Sequence, residues 1–236
     1  MRLRPTRMQV VEALNRLYDR STGGDTRPVF FDLQETYPAL AALDRAYPVI
    51  RAELEEVLPS VAQMPKYQEL DPRQTYITTT LDPGRNWRVF LLYAYGEKPE
   101  ENRRRCPRTT ALLDGVPGLV QAFFSILEPG KSIAAHSAAY RGYLRYHLGL
   151  LVPARNPPRL IVKDREHVWE EGKSLLFDDT WQHHVVNESD GYRVVLLVDV
   201  RRPMPALQRT VNRLVLSTLG RQYGKQLMEM ERKATA

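Results

Sequence analysis

Hydrophobic and polar positions along the chain fall into two regimes. Over residues 6 to about 20, Val10, Val11, Ala13, Leu14, Leu17 and Tyr18 recur at helical spacing until Thr22-Gly23-Gly24-Asp25 ends the pattern, which predicts a short amphipathic helix. Leu40, Leu43, Tyr47, Ile50, Leu54 and Val57 alternate steps of three and four and share one helical face, in a helix that Pro48 is expected to kink or split. From about residue 75 the rhythm changes to short runs bounded by Gly, Pro, Asn and Asp: Trp87–Tyr95, Val120–Leu127, Tyr143–Val152, Arg159–Val162, Ser174–Phe177 and Tyr192–Val200. These predict strands of an antiparallel sheet system. After Pro203 and Pro205 a last amphipathic helix runs through Val211, Leu214, Val215 and Leu219, with Gly220 placed to stop or interrupt it. The division is thus a helical region over 1–74, a β-rich core over 75–203 and a C-terminal basic amphipathic helix over 204–236. The class is α+β, and the centre is long enough for an eight-stranded jelly roll with flanking helices.

A chain of 236 residues fits one domain with extensions better than two. With 43% hydrophobic and 26% charged residues it has the composition of a folded globular protein. Its longest apolar runs, such as Ala122–Leu127 and Val194–Val198, fall far short of the roughly 18 residues of a membrane span. The basic N-terminus lacks the apolar core of a secretory signal. Cys106 is the only cysteine, which excludes an intramolecular disulfide or a multi-cysteine zinc site and fits a reducing cytoplasm.

Charge changes this picture at the ends. Residues 1–20 hold five Arg against Glu12 and Asp19, a net +3, and residues 201–236 hold eight Lys or Arg against Glu229 and Glu231, a net +6; with +6 overall, the middle carries −3. A mildly acidic body with two basic ends points to an anionic surface or to solvated helix faces. Nucleic acid is not expected, because the basic ends lack interleaved aromatics for base stacking. The C-terminal helix either packs on the core or lies in a membrane interface.

All five histidines, His136, His147, His167, His183 and His184, fall in the β-rich stretch. In Tyr143–Leu150 the period of two puts Leu144, Tyr146, Leu148 and Leu150 on one face and Arg145, His147 and Gly149 on the other. A cation, an imidazole and an absent side chain facing one way suggest a polar lumen holding an anion, the alternative being an arginine paired to a carboxylate elsewhere. Further on, His183 and His184 precede a strand that opens with Arg193, so a metal-ligating histidine and an anion-binding arginine can enter one cavity.

Taken together, Cys106-Pro107-Arg108-Thr109-Thr110, Ser125 through His136, Leu144–Leu150, Glu171-Gly172-Lys173, Phe177-Asp178-Asp179 with His183, and Arg193 with Val198-Asp199-Val200 resemble the aspartyl/asparaginyl β-hydroxylase family of iron(II)- and 2-oxoglutarate-dependent dioxygenases. The resemblance runs from Trp87 to Pro203 and is closest to the bacterial lipid A and ornithine-lipid hydroxylase branch, without the membrane segments of the lipid A enzymes. It implies a double-stranded β-helix core, Fe(II), 2-oxoglutarate and O2, with His136 and His183 as iron ligands. By the same resemblance Ser125 and Arg193 hold the distal carboxylate of 2-oxoglutarate, Arg145 and His147 lie near its chelating end, and His184 is structural. Imidazole suits Fe(II) and an arginine fork suits a dicarboxylate.

One departure stands out. The residue two after the first histidine, an Asp in the usual triad, is Ala138 here. Animal members have glycine there and are active, so a two-histidine hydroxylase is the first expectation. Chloride entry with halogenation, and an inactive paralogue acting as a binding module, are the others. Asp178 or Asp179 is expected to support the site rather than to ligate. The substrates implied are a lipid-linked acyl chain, or an Asp or Asn side chain of a peptide or small molecule. The implied location is the cytoplasm, with peripheral contact at the inner face of an anionic membrane.

Overall fold

The computed structural model describes residues 6–235, so Arg2 and Arg4 of the basic N-terminal segment lie outside the described residues. The strands are β1 (Phe30–Phe31), β2 (Trp87–Ala94), β3 (Leu119–Leu127), β4 (Ile133–His136), β5 (Tyr143–Leu151), β6 (Arg159–Val162), β7 (Arg165–Val168), β8 (Ser174–Phe177), β9 (His183–Val186) and β10 (Arg193–Arg201). One sheet has the order β1-β8-β5-β10-β3-β2 and the other β4-β9-β6-β7. From β3 onward the chain switches sheet at every step except the β6–β7 hairpin, which makes the core a jelly roll, or double-stranded β-helix.

The six strand runs predicted from the sequence all form. Four further strands, β1, β4, β7 and β9, lie outside the expected runs; His183 and His184, expected ahead of the strand that opens with Arg193, themselves open β9. The larger sheet is buried on both faces, which explains the near-continuous apolar wording of β10. Its outward side chains, among them Val194, Leu196 and Val198 with Leu144, Tyr146 and Leu148, pack against Leu40, Leu43, Ile50 and Leu54 of the helical layer. Its inward ones, Val195 and Leu197 with Phe123 and Phe177, pack inside the barrel.

The helices are α1 (Arg7–Thr22), α2 (Leu33–Thr36), α3 (Ala41–Arg45), α4 (Tyr47–Val57), α5 (Tyr67–Leu70), α6 (Thr75–Thr79), α7 (Glu100–Arg105), α8 (Pro107–Asp114), α9 (Ala206–Val215) and α10 (Arg221–Thr235). Thr6 and Gln9 close a capping box on α1. The break between α3 and α4 falls at Ala46, with Pro48 in the first turn of α4, as the proline predicts. Buried Glu53 accepts from the backbone N–H groups of Arg108 and Thr109 at 2.8 and 2.7 Å and so caps α8 with a carboxylate. The Cys-Pro-Arg-Thr-Thr motif is therefore a helix start docked on α4.

Gly220 does not stop the last helix. The chain passes through a π-turn at Leu216–Gly220 and continues as α10. A Cβ at Gly220 would lie 2.9 Å from the Tyr95 ring, and one at Gly224 would run into the Ala94 carbonyl, so these glycines let the helix lie close on β2. Tyr223 donates to Asp71 at 2.9 Å, and Leu227 is buried. The C-terminal segment is part of the packed body.

Candidate active site

Strands β4 and β9 pair antiparallel with His136 directly opposite His183, which sets the two imidazoles side by side with ring centroids 4.2 Å apart. Each ring uses Nδ1 on the carbonyl two residues earlier in its own strand or turn: His136 to Ala134 and His183 to Trp181, both at 2.8 Å. A carbonyl requires Nδ1–H, so both Nε2 atoms carry a free lone pair. Burial lowers His136 to about 4 and His183 well below the ordinary histidine range. Both rings are therefore neutral at pH 7, the state that ligates a metal. His184 alternates to the other side of β9, opposite Ile161.

No cluster of three or more His, Cys, Asp or Glu side chains around a metal-sized space occurs among the described residues. Ala138 supplies no ligand; its N–H donates to the Asp179 carbonyl at 2.9 Å. Asp178 is held by Arg27 at 2.8 Å and Arg202 at 2.6 Å. Asp179 faces Arg145 at 3.0 Å, and burial raises its carboxyl to about 7. A two-imidazole donor set with oriented rings still suits Fe(II), whose remaining positions are left for oxygen ligands.

Deeper in the barrel lie Ser125, His147 and Arg193, all buried. Arg193 is the unusual one. Its side chain points along the lumen beneath Trp169, with the guanidinium carbon 4.5 Å from the ring centroid. Its only polar contacts are long ones, 3.4 Å, to the Ser125 carbonyl and hydroxyl, and its Nε has no partner. No carboxylate among the described residues pairs with it; desolvation alone lowers it to about 9, so it stays charged at neutral pH. Ser125 Oγ accepts from Trp87 Nε1 at 3.0 Å, which leaves the hydroxyl proton free to donate. Both ring nitrogens of His147 and the Trp169 indole N–H are also buried without partners. Buried polar groups are nearly always satisfied, and four such atoms on three neighbouring side chains, one of them a cation, fit a polar anionic guest.

Two sequence expectations need correction. Arg145 shares the lumen face, but it does not await an anion: it makes a two-pronged pair with Asp199, directly opposite on β10, at 2.8 and 2.9 Å, in addition to Asp179. Burial opposes its charge, yet the two carboxylates hold it well above the ordinary range. Gly149 does not open room for a ligand either. A Cβ there would collide with the Glu170 carbonyl, because the Glu170–Lys173 segment crosses β5 at this point and exchanges backbone hydrogen bonds with it.

A cavity of about 650 Å³ opens at the histidine end of the barrel. His136, His183, Arg145, Asp179 and Gln121 form its polar floor, while its outer wall combines the aliphatic Met8, Leu14, Ile77, Val215 and Leu219 with tyrosines such as Tyr140 and Tyr223 and with Asp71 and Arg73. Ser125, His147 and Arg193 lie behind this floor and do not line the cavity. The outer wall, contributed by α1, α6 and the C-terminal helix, was not anticipated. Nor was Trp169, whose one signal is a lone aromatic beside two glutamates.

The model for the aspartyl/asparaginyl beta-hydroxylase family matches residues 44–203. The ornithine lipid ester-linked acyl 2-hydroxylase of Rhizobium tropici is 42% identical over 178 residues, 75% of this chain and 62% of that protein. The human aspartyl/asparaginyl beta-hydroxylase is 32% identical over 123 residues, 50% of this chain and 16% of its own. A Pseudomonas putida prolyl-4-hydroxylase structure covers 70% of this chain at 16% identity with a TM-score of 0.42. The chain thus spans less than two thirds of the curated relatives it matches. With the match running from α3 to the end of β10 and enclosing His136, His183 and Arg193, the chain belongs to the aspartyl/asparaginyl beta-hydroxylase family.

Proposed function

We propose that this protein is an iron(II)- and 2-oxoglutarate-dependent hydroxylase acting on a lipid-linked acyl chain. The observation that carries the reading is Arg193: a buried guanidinium that remains charged at pH 7, with no carboxylate to neutralise it, behind a pair of oriented imidazoles. A buried charge of this kind calls for an anion from outside the fold. Iron(II) with 2-oxoglutarate and O2 supplies the oxidising power to hydroxylate an unactivated carbon.

The chain's own residues contribute holding and exclusion. His136 and His183 are the iron ligands. Arg193 and the Ser125 hydroxyl take the distal carboxylate, and the His147 ring nitrogens and Trp169 N–H lie beside the same guest. Because Arg193 lies behind the cavity floor, cosubstrate entry requires side chains of that floor to part. Arg145, held by Asp199 and Asp179, is already neutralised and fixes the shape of the floor rather than adding charge to it. The aliphatic part of the outer wall favours an acyl chain over the Asp or Asn side chains acted on by the family's name-giving members, in agreement with the 42% identical acyl hydroxylase. The buried, unpaired thiol of Cys106 agrees with a cytoplasmic location.

A second reading, a binding jelly roll without catalysis, is favoured by Ala138 and by the absence of a third metal-ligating side chain among the described residues. One experiment separates the two. Anaerobic protein given Fe(II) and 2-oxoglutarate is expected to develop the weak visible charge-transfer band of a chelated 2-oxo acid, lost in His136→Ala and in His183→Ala. Wild-type protein that takes up neither component at millimolar concentration is a binding module.

A further inference from the structure

Among the described residues few large apolar side chains stand exposed, and two of them border one opening while two more share a face of the helix beside it. Of seven, Met8 (57% exposed) and Leu219 (43%) line the cavity mouth, Tyr76 (67%) neighbours the cavity-lining Ile77 on α6, and Leu207 (66%) and Leu214 (63%) lie on α9. Leu207 and Leu214 are seven residues apart, two helical turns, and so share one face. That face turns away from Asn212, whose buried amide donates to the Gly142 carbonyl at 2.6 Å and anchors α9.

The same helix carries cations on its flank. Arg209 and Arg213, one turn apart, border a cleft of about 340 Å³ with Arg201, reached from the end of β10. Among the described residues none of the three has a carboxylate within salt-bridge distance, whereas Arg27, Arg88, Arg103, Arg141 and Arg145 are all paired. No acid occurs between residues 201 and 228, and the segment 201–236 nets +6. Leu207 and Leu214, with Arg209 and Arg213 beside them, give α9 the exposed apolar side chains and cationic flank that a helix in the headgroup layer uses. Among the described residues no helix is long and apolar enough to cross a membrane.

From this juxtaposition we infer that the rim formed by α9, the π-turn and the start of α1 docks on the surface of an anionic bilayer. Leu207, Leu214 and Met8 enter the acyl boundary, and Arg201, Arg209 and Arg213 meet phosphate headgroups. The inference rests on the acyl-chain reading above and deepens it: Val215 and Leu219 of the same helical run line the cavity, so the docked rim lies beside the opening through which a substrate chain enters.

Docking is tested on the full chain, free of metal, by co-sedimentation with vesicles of phosphatidylcholine alone or mixed with phosphatidylglycerol. Binding is expected to the mixed vesicles at low salt, to weaken as salt is raised, and to be much weaker to the neutral ones. At about 1 kcal/mol per basic residue near the surface, Arg209→Gln with Arg213→Gln lowers partitioning about thirtyfold. Leu207→Asp with Leu214→Asp lowers it at least tenfold, with an unchanged melting temperature because both side chains are exposed. Equal binding to both vesicle types, no binding at low salt, or parent-like binding by both double variants overturns the inference. So does a parent that sediments as an oligomer which the leucine variants dissociate, since the face then joins two copies of this chain. Iron and 2-oxoglutarate uptake, measured separately on the same proteins, reports on the hydroxylase reading: uptake without docking defeats only the docking, and docking without uptake defeats only the enzyme.

Discussion

The wall of the barrel around Asp178 and its depth around Arg193 are both buried and both charged, yet they are built on opposite terms. At the wall, Asp178 accepts from Arg27 and Thr180 and pairs with Arg202. Burial works against its charge, but these partners hold its carboxyl below the ordinary range. Next to it Arg145 is matched two-pronged by Asp199 and faces Asp179 at 3.0 Å, an ion pair in which the Asp179 oxygens accept no hydrogen bond. In the depth, Arg193, His147 and Trp169 leave four polar atoms without partners. Completed networks hold a fold in one arrangement; incomplete ones of this size mark where something else is bound. Charge in a barrel lumen is therefore not by itself a ligand signal, since only the group whose counter-charge is missing points outward.

The largest effect belongs to the completed wall. Asp178→Asn strands two buried guanidinium groups at once, and breaking a buried pair costs about 3–5 kcal/mol, so a loss at the upper end is expected in denaturant melts. A loss below about 1 kcal/mol would show that the wall network holds nothing together. Arg193→Met asks the opposite question. The half-saturating 2-oxoglutarate concentration is expected to rise at least about a hundredfold, iron uptake to survive, and the melting temperature to stay or rise, because an uncompensated buried cation is removed. Should stability fall instead by several kcal/mol, Arg193 has a partner within the fold and the contrast collapses.

Smaller effects sharpen the comparison. Gly149→Ala forces the Glu170 backbone off β5 and is expected to cost about 1–3 kcal/mol, as overpacking does. Parent-like stability would restore the idea that Gly149 leaves free room. Glu231 on α10 is an intermediate case, a buried carboxyl with one neutral donor, Asn102 at 2.6 Å, and no cation bridged to it. Unlike an arginine it can neutralise itself, and burial raises it to about 7 from an ordinary value of 4.5. Its folded pKa is the higher one, so the protonated form favours the fold: that stability is complete below about pH 4.5 and is lost as pH rises through 7. Glu231→Gln is expected to flatten the melting temperature against pH across that window. A slope identical to the parent's assigns the dependence to another group.

The long strands were legible as apolar runs bounded by Gly, Pro, Asn and Asp, and the α3–α4 break because a proline fixes it. What escaped lacks local signal. Strand β7 reads Arg-Glu-His-Val and is mostly exposed, so no alternation betrays it. Strand β4 is four residues long and its pairing slips between Ile133 and His136. The histidine pair itself came from resemblance, since facing positions on β4 and β9 follow from register, which no single segment carries. The partner of Arg145 was within reach: Asp199 is a lone acid in an apolar strand, and a buried carboxylate demands a cation. Gly149 carries no local sign of its neighbour, because the crossing backbone belongs to another part of the chain.

Both ends of the described chain meet over the loop that follows His136. Asn15 and Asp19 of α1 hold Ala139 and Arg141. Tyr18 shares a hydrogen bond with Tyr140, whose hydroxyl donates in turn to Asn212 of α9. These partners lie between 72 and 126 residues apart in sequence, and α9 follows all ten strands. Contacts of such separation form late, after the cost of closing long loops has been met. On the ribosome the barrel strands emerge before the helix that completes the clasp, so a nascent chain holds a finished sheet and an unfinished mouth. The mouth of the cavity is therefore the last part of the fold to close.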